Sequence, residues 1–416
     1  MNRPIGYFVH HQGRGHAERC LAIIHALPAT RPVVIFCARP DFFPDLPDHV
    51  SICAIPSLFE ARGDEAASMA DLPTPRTMHC APVGWPGIRQ AMGAIAQWFA
   101  QADPALMICD VSAEIAQLSR LCSVPHIKIV QHGDREDEGH QAAYDGAVGL
   151  LAPFSEHLAQ PEWSSARRKQ IFFAGGLGKS DVLPEKEVAR RRIGVDPERE
   201  MILVMSGGGG SGFTLAPIAV GARHRPDAHW VTIGAMEHDW HATGTGNLTI
   251  RGWVDNAPDY IAAADCIIAS TGNTTCQQIL AAGKPWLAVP EWRYFDEQHR
   301  KAECLAAARM AVTRPHLPAS GMAWTTALAE TYATHDPQLQ RAAIDDRPAE
   351  RVALWIETLI SRLWDQHHPA SAPDTAQAGL TSETGHASAH PGASADIVAS
   401  HPDPGAARGA TETHPS

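Results

Sequence analysis

One pattern recurs twice along this chain: a short, continuously apolar segment, a polar or glycine-rich loop, and a stretch of helical length. In the first half Ile5 to Val9, Val33 to Cys37, Val50 to Ile55, Leu106 to Cys109, Ile127 to Val130 and Gly149 to Ala152 read as strands. They lack in-out alternation, which suits strands buried on both faces, and that happens in a parallel sheet covered by helices. The pattern restarts with Ile202 to Met205 and continues through Trp230 to Ile233, Leu248 to Ile250, Cys266 to Ala269 and Trp286 to Val289. The expectation is an α/β chain of two doubly wound domains, for which 416 residues suffice at about 100–200 per domain.

The turn formers of Gly175 to Pro184 mark the join between the two sets. The expected division is a first domain over 1–174, a linker over 175–198 and a second domain over 199–346. A helix follows within 347–365, with Val352, Trp355 or Ile356, Leu359 and Leu363 on one face, and packs back on the body. From Gln366 to Ser416 the chain is Pro, Ala, Ser, Thr, Gly and His with three large aliphatics, too few to offset chain entropy, and is expected to be a disordered tail.

Composition excludes several classes of function. A net charge of -12 argues against a nucleic-acid partner, which needs a basic face. No apolar run approaches the roughly 20 residues of a membrane-spanning helix, and the N-terminus lacks the features of a signal peptide, so a cytoplasmic protein is expected. Nine cysteines stand singly, as reduced thiols would. The 23 histidines form no HExxH or similar ligand spacing, so no metal and no other cofactor is expected.

Three constellations carry chemistry. The first is His10-His11-Gln12-Gly13-Arg14-Gly15-His16, after the first strand and opening a helix, where Gly13 and Gly15 let backbone approach an anion. His16 sits at the carboxyl rim of the sheet, and a neutral imidazole there can take a proton from a hydroxyl. Asp110 and His132 end the fourth and fifth strands over the same rim, where either orients His16 or touches an acceptor. Asp110 equally suits the N-cap of the helix beginning near Ala113. The second constellation is Ser206-Gly207-Gly208-Gly209-Gly210-Ser211-Gly212, directly after a strand, with backbone N–H groups free for phosphate oxygens. The third runs from Ser270 to Gln298. Ser270, Gly272, Asn273, Thr274 and Thr275 lie at a helix start suited to a diphosphate, Gln278 lies one turn further on at ribose distance, and Asp296 with Gln298 suits sugar hydroxyls. A helix from Trp85 to Ala100 places Ile88, Met92, Ile95 and Phe99 on one face, read as core-facing, with contact to a lipid-linked acceptor or a membrane surface as the rival.

In these motifs the chain resembles the glycosyltransferases related to the MurG enzyme of peptidoglycan synthesis, within the wider GT-B group, over roughly residues 3–310. The resemblance rests on Gly13-Arg14-Gly15-His16, on the loop Ser206 to Gly212, on Thr271-Gly272-Asn273-Thr274-Thr275 through Ala282-Gly283-Lys284-Pro285, and on Asp296-Glu297-Gln298. It implies two Rossmann-like domains facing a central cleft, the first on the acceptor side, the second binding a nucleotide-sugar. It further implies His16 as catalytic base and Val254, in Arg251-Gly252-Trp253-Val254-Asp255, as the base-reading contact. Gln278 stands where that family has a ribose-binding glutamate, which leaves dTDP open beside UDP, and His299 replaces the second glutamine of the MurG pattern. The implied activity is a metal-independent, inverting transfer of a hexose or N-acetylhexosamine from a UDP-sugar to an unidentified acceptor hydroxyl, with peripheral contact at the inner membrane face allowed. The rivals are a catalytically silent sugar-nucleotide-binding protein and a nucleotide-sugar epimerase of the same architecture, the latter needing cleft carboxylates that the motifs lack.

Overall fold

The computed structural model describes residues 3–178, 183–207, 212–237 and 245–365. The middle of the linker, Gly208 and Gly209 of the second glycine loop, expected above to hold a donor, with their neighbours Gly210 and Ser211, and the 366–416 tail lie outside the described residues.

Seven parallel strands form the first sheet: β1 (Ile5–Phe8), β2 (Val33–Cys37), β3 (Val50–Ala54), β4 (Leu106–Cys109), β5 (His126–Ile129), β6 (Gly149–Ala152) and β7 (Ile171–Phe173), in the order β3-β2-β1-β4-β5-β6-β7. Every residue of β1, β4 and β5 is buried, which is why β1 and β4 show no alternation; β5 buries two polar side chains, His126 and Lys128, as well. The expected strand ends Val9, Ile55 and Val130 fall one residue beyond the regular strands, yet each still donates to a neighbouring strand's carbonyl at 2.8 to 3.2 Å. The three-residue β7 was not expected, because so short a run has no readable period.

The second sheet holds six parallel strands among β8 (Met201–Met205), β9 (Phe213–Thr214), β10 (His229–Ile233), β11 (Met236–Glu237), β12 (Leu248–Ile250), β13 (Cys266–Ala269), β14 (Trp286–Ala288) and β15 (Val312–Thr313), in the order β12-β10-β8-β13-β14-β15. The two-residue strands β9 and β11 pair separately, and they and β15 are the other segments not anticipated.

Strand order places the site. In the first sheet the chain winds outward through β2 to β3 and then returns to lay β4 on the other side of β1. In the second it winds out through β10 and β12 before β13 returns beside β8. Ligands of open α/β sheets bind where the winding reverses, beyond the carboxyl ends of those strands. The loops at the two reversal points are those of Gly13–His16 and Asp110 in one sheet, and those of Ser206–Gly207 and Ser270–Gly272 in the other.

The helix Pro348–Trp364 returns to the first sheet, burying Val352, Ala353, Ile356, Leu359 and Ile360. Arg31 clamps it through a two-pronged bond to Glu357 at 2.7 and 2.9 Å, and the Trp364 indole donates to the Ala105 carbonyl. Leu363, expected on the buried face, is 41% exposed; Ile360 takes its place. The helix Pro86–Ala102 faces the core, with Ala91, Ile95 and Phe99 buried among Phe8, Phe36 and Met107 and with Ile88 and Met92 partly covered, so its apolar face is used up. All nine cysteines are unpaired, and among the described residues no helix is long and apolar enough to cross a membrane.

Candidate active-site cleft

On the first-domain side, the helix Arg14–Ala26 begins at Gly13, whose φ of 87° turns the chain and which offers no side-chain cap. His16, on its first turn, lies 3.2 Å through Nδ1 from Asp110 Oδ1. Arg19, three residues on and almost fully buried, donates through Nη2 to both Asp110 oxygens at 2.7 Å and through Nε to Oδ2 at 3.2 Å. Burial opposes ionisation of Asp110, but the Arg19 guanidinium and His16 outweigh it and hold the carboxyl well below the usual range. Arg19 Nη2 also lies 2.8 Å from His16 Nδ1. A guanidinium only donates, so Nδ1 has two exclusive states: accepting from Arg19, or protonated and donating to Asp110.

Asp110 does not cap the following helix. Ser112 does, accepting from the Ile115 N–H, because Val111 takes a left-handed φ of 72° that turns the chain between them. A β-branched residue rarely adopts that conformation, and the buried Lys128 holds it by donating to the Val111 carbonyl at 2.7 Å. Sequence reasoning passed over Arg19 and Lys128. The available signal was a cation on a helix face shared with Ala17, Cys20, Ile23 and Ile24, and another between two isoleucines, Ile127 and Ile129, in a strand.

On the second-domain side, Ser270 and Thr271 are buried at the end of β13, and the helix Asn273–Ala282 begins at Gly272 with no side-chain cap. Its first-turn N–H groups, on Asn273, Thr274 and Thr275, therefore lack intrahelical partners. Behind them the buried Lys301 bonds the Asn273 side chain and brings a positive charge to the helix start. The Ser206 hydroxyl, buried at the end of β8, has no partner among the described residues, and open space lies over the Gly207 Cα. Gln278 is half-buried with its amide unbonded among the described residues. Val254 is half-buried, its backbone N–H and carbonyl equally unbonded, beside Gly252 at φ 66°.

Gln298 is placed differently from expectation. Its side-chain oxygen accepts from the N–H groups of Thr271 and Glu291, and its carbonyl accepts from the Thr271 hydroxyl. Glu291 in turn accepts from the Gly212 N–H at 3.1 Å. Gln298 thus spends its acceptor on the loops around the cleft, as a positioning residue. Asp296 remains exposed, 3.0 Å from His299, and both it and Phe295 are left-handed, with φ of 57° and 60°.

The two sides meet. A Cβ on Gly15 would lie 2.8 Å from the Thr274 hydroxyl, which donates to Glu18 at 3.3 Å, so the two uncapped helix starts confront each other. Gln277 ties the same second-domain helix to the carbonyls of Pro153 and Leu177. The Asp134 N–H donates to the Phe295 carbonyl, while Arg300 pairs with Asp134 and Arg135 with Glu297.

His132 is not at the cleft surface. It is wholly buried against Phe154 and donates through Nε2 to the Leu158 carbonyl at 2.7 Å, which corrects its assignment as an acceptor contact. Nearby, ligand-type atoms of His79, Asp137 and His140 lie within 4.8 Å of one another. Arg135 donates to His140 Nε2 at 3.2 Å, so Nδ1 keeps its proton for Asp137 at 2.6 Å; a cation at Nδ1 would need the opposite tautomer, facing a guanidinium. These hydrogen bonds fit a polar cluster better than a metal centre.

Two parallel, doubly wound domains with both reversal points on one cleft are the GT-B architecture. No protein-family model matches the chain. Solved structures similar to it include the glycotransferase of kitacinnamycin (TM-score 0.63, 16% identity, 86% of this chain and 100% of that one). Another is MurG of Acinetobacter baumannii (TM-score 0.54, 15% identity, 85% and 99%). Among curated proteins the chain is 24% identical over 162 residues to the UDP-N-acetylglucosamine--N-acetylmuramyl-(pentapeptide) pyrophosphoryl-undecaprenol N-acetylglucosamine transferase of Clostridioides difficile, covering 36% of this chain and 39% of that one. The chain spans between 30% and 50% of the length of the curated relatives it matches.

Proposed function

We propose that this chain is a glycosyltransferase that moves a hexose or N-acetylhexosamine from a UDP-sugar to an acceptor hydroxyl with inversion at the anomeric carbon. The observation that carries the reading is the close approach of Gly15, next to His16 and its partner Asp110, to Thr274 at the uncapped helix start Gly272–Thr275. With Nδ1 protonated and donating to Asp110, His16 takes the acceptor proton at Nε2. The acceptor oxygen then bonds to the anomeric carbon as the bond from that carbon to the diphosphate breaks, and UDP leaves. The first-turn N–H groups, the Ser206 hydroxyl and Lys301 stabilise the charge gathering on the diphosphate, so no divalent cation is required. Gln278 faces the ribose, Val254 the base, and Asp296 the transferred sugar. The curated relatives' names specify UDP-N-acetylglucosamine, which supports the donor class.

The test is mass spectrometry of full-length protein with UDP-, dTDP- and GDP-sugars, followed by turnover with and without EDTA. Turnover of a UDP-sugar that is insensitive to EDTA is expected, falling about 10²–10⁴-fold in His16→Ala. Undiminished transfer by that variant removes His16 from the mechanism; failure to bind any nucleotide-sugar removes the whole reading.

A further inference from the structure

After β14 the chain turns through Trp292, Tyr294 and Phe295 before the helix Glu297–Ala307 begins. Trp292 and Tyr294 stand out in solvent, 68% and 70% exposed, while Phe295 reaches across to the first domain. Its ring is in edge contact with His79 and His140, at centroid distances of 4.8 and 5.0 Å, and the Arg135 guanidinium lies over it at 4.6 Å. Its carbonyl accepts from the Asp134 N–H at 2.7 Å. Gly133, at φ 114°, makes room for this seat, since a Cβ there would lie 2.5 Å from the same carbonyl oxygen.

Phe295 and Asp296 are both left-handed, and for a bulky side chain that conformation persists only where its surroundings hold it. The second domain ties down Asp296, whose N–H donates to the Arg293 carbonyl at 3.2 Å and whose carboxylate lies 3.0 Å from His299. Phe295 is held from the other domain, by the contacts above. The pairs Arg135–Glu297 and Arg300–Asp134 fasten the helix that follows. With the domains apart, ring and carbonyl lose these partners, the turn relaxes, and Asp296 leaves the position that the turn gives it. We propose that Phe295 is a positioning residue through which the first domain takes part in recognising the donor's sugar: its seat holds Asp296 in place, so domain closure and sugar recognition stabilise each other. The inference rests on the donor reading above, in which Asp296 faces the transferred sugar. UDP alone offers Asp296 nothing and is indifferent to the seat, whereas a UDP-sugar depends on it.

The experiment measures equilibrium binding of UDP and a panel of UDP-sugars to the full-length protein. In Phe295→Ala the UDP-sugar that the unaltered protein binds most tightly should lose about tenfold in affinity, within the usual range for coupled sites, while UDP changes less than about twofold. Gly133→Ala, a first-domain change, should give the same split, because its methyl group displaces the Phe295 carbonyl; where that variant does not fold, Phe295→Ala decides alone. Combining Phe295→Ala with Asp296→Ala should cost no more than Asp296→Ala by itself. An equal loss for UDP and UDP-sugar, no loss for either in Phe295→Ala, or additive losses in the double variant overturns the proposal and leaves the donor reading standing. Failure of the unaltered protein to bind any UDP-sugar removes the donor reading, and this inference with it.

Discussion

Asp110 receives Arg19 through both oxygens and His16 through one, inside a pocket from which water is excluded. Removing one partner of a buried pair leaves the other charge uncompensated, a cost of about 3–5 kcal/mol. Arg19→Met is therefore expected to lower the stability measured by urea unfolding by about that amount. The double variant Arg19→Met, Asp110→Leu should recover much of the loss while remaining inactive; equal destabilisation of the single and double variants would count against a pair held by charge. His16 and Asp110 were legible because each ends or follows a strand at the rim. Arg19 was not, because a helical pattern does not reveal that a cation on its apolar face has a partner 91 residues away.

At the scale of elements, the approach of two helix starts depends on the absence of one carbon. Gly15→Ala sets a methyl group 2.8 Å from the Thr274 hydroxyl, and overpacking of this kind costs about 1–3 kcal/mol. Donor turnover should fall in Gly15→Ala and recover in the double variant with Thr274→Ala, since without that hydroxyl the nearest Thr274 atom is Cβ, 4.0 Å away. A double-mutant cycle on kcat/KM measures the coupling, and purely additive effects would show that the two helices do not meet. The sequence marked both loops as glycine turns after strands. It carried no sign that one lies against the other, because neither motif specifies the angle at which two domains pack.

Across the whole molecule, burial pulls the pKa of several histidines below the ordinary 6.5: His10 to about 3, and His126 and His140 to about 4. Charges at His16 and His11 add to the effect on His10, and the Arg135 charge to that on His140. As pH falls below 6.5 the unfolded chain takes up protons that the native protein refuses, so stability is intact above that pH and declines toward the folded pKa values. Between pH 6.5 and about 5 the decline is about 2 kcal/mol for each such histidine, because a proton taken up by the unfolded chain alone costs the fold about 1.4 kcal/mol for every pH unit crossed. Urea midpoints across that range should show the slope, and His126→Gln should reduce it; a slope unchanged in that variant would place the acid sensitivity elsewhere. Asp110 adds its own loss only at lower pH, below the ordinary carboxylate range.

Local patterning in the chain was enough to encode the run of apolar strands, the uncapped glycine-led helix starts, and a histidine and an aspartate at strand ends. Those follow from periodicity and backbone chemistry, which act over a few residues. Tertiary packing settled that the helix Pro348–Trp364 covers the first sheet, that Ser112 and not Asp110 is the cap, and that His132 is walled in. It also settled that Gln298 serves the loops and that Arg19 shares Asp110 with His16. Each of these depends on which side chain fills a given space or completes a given hydrogen bond, and the partners are brought together by packing across distances that no sequence window spans.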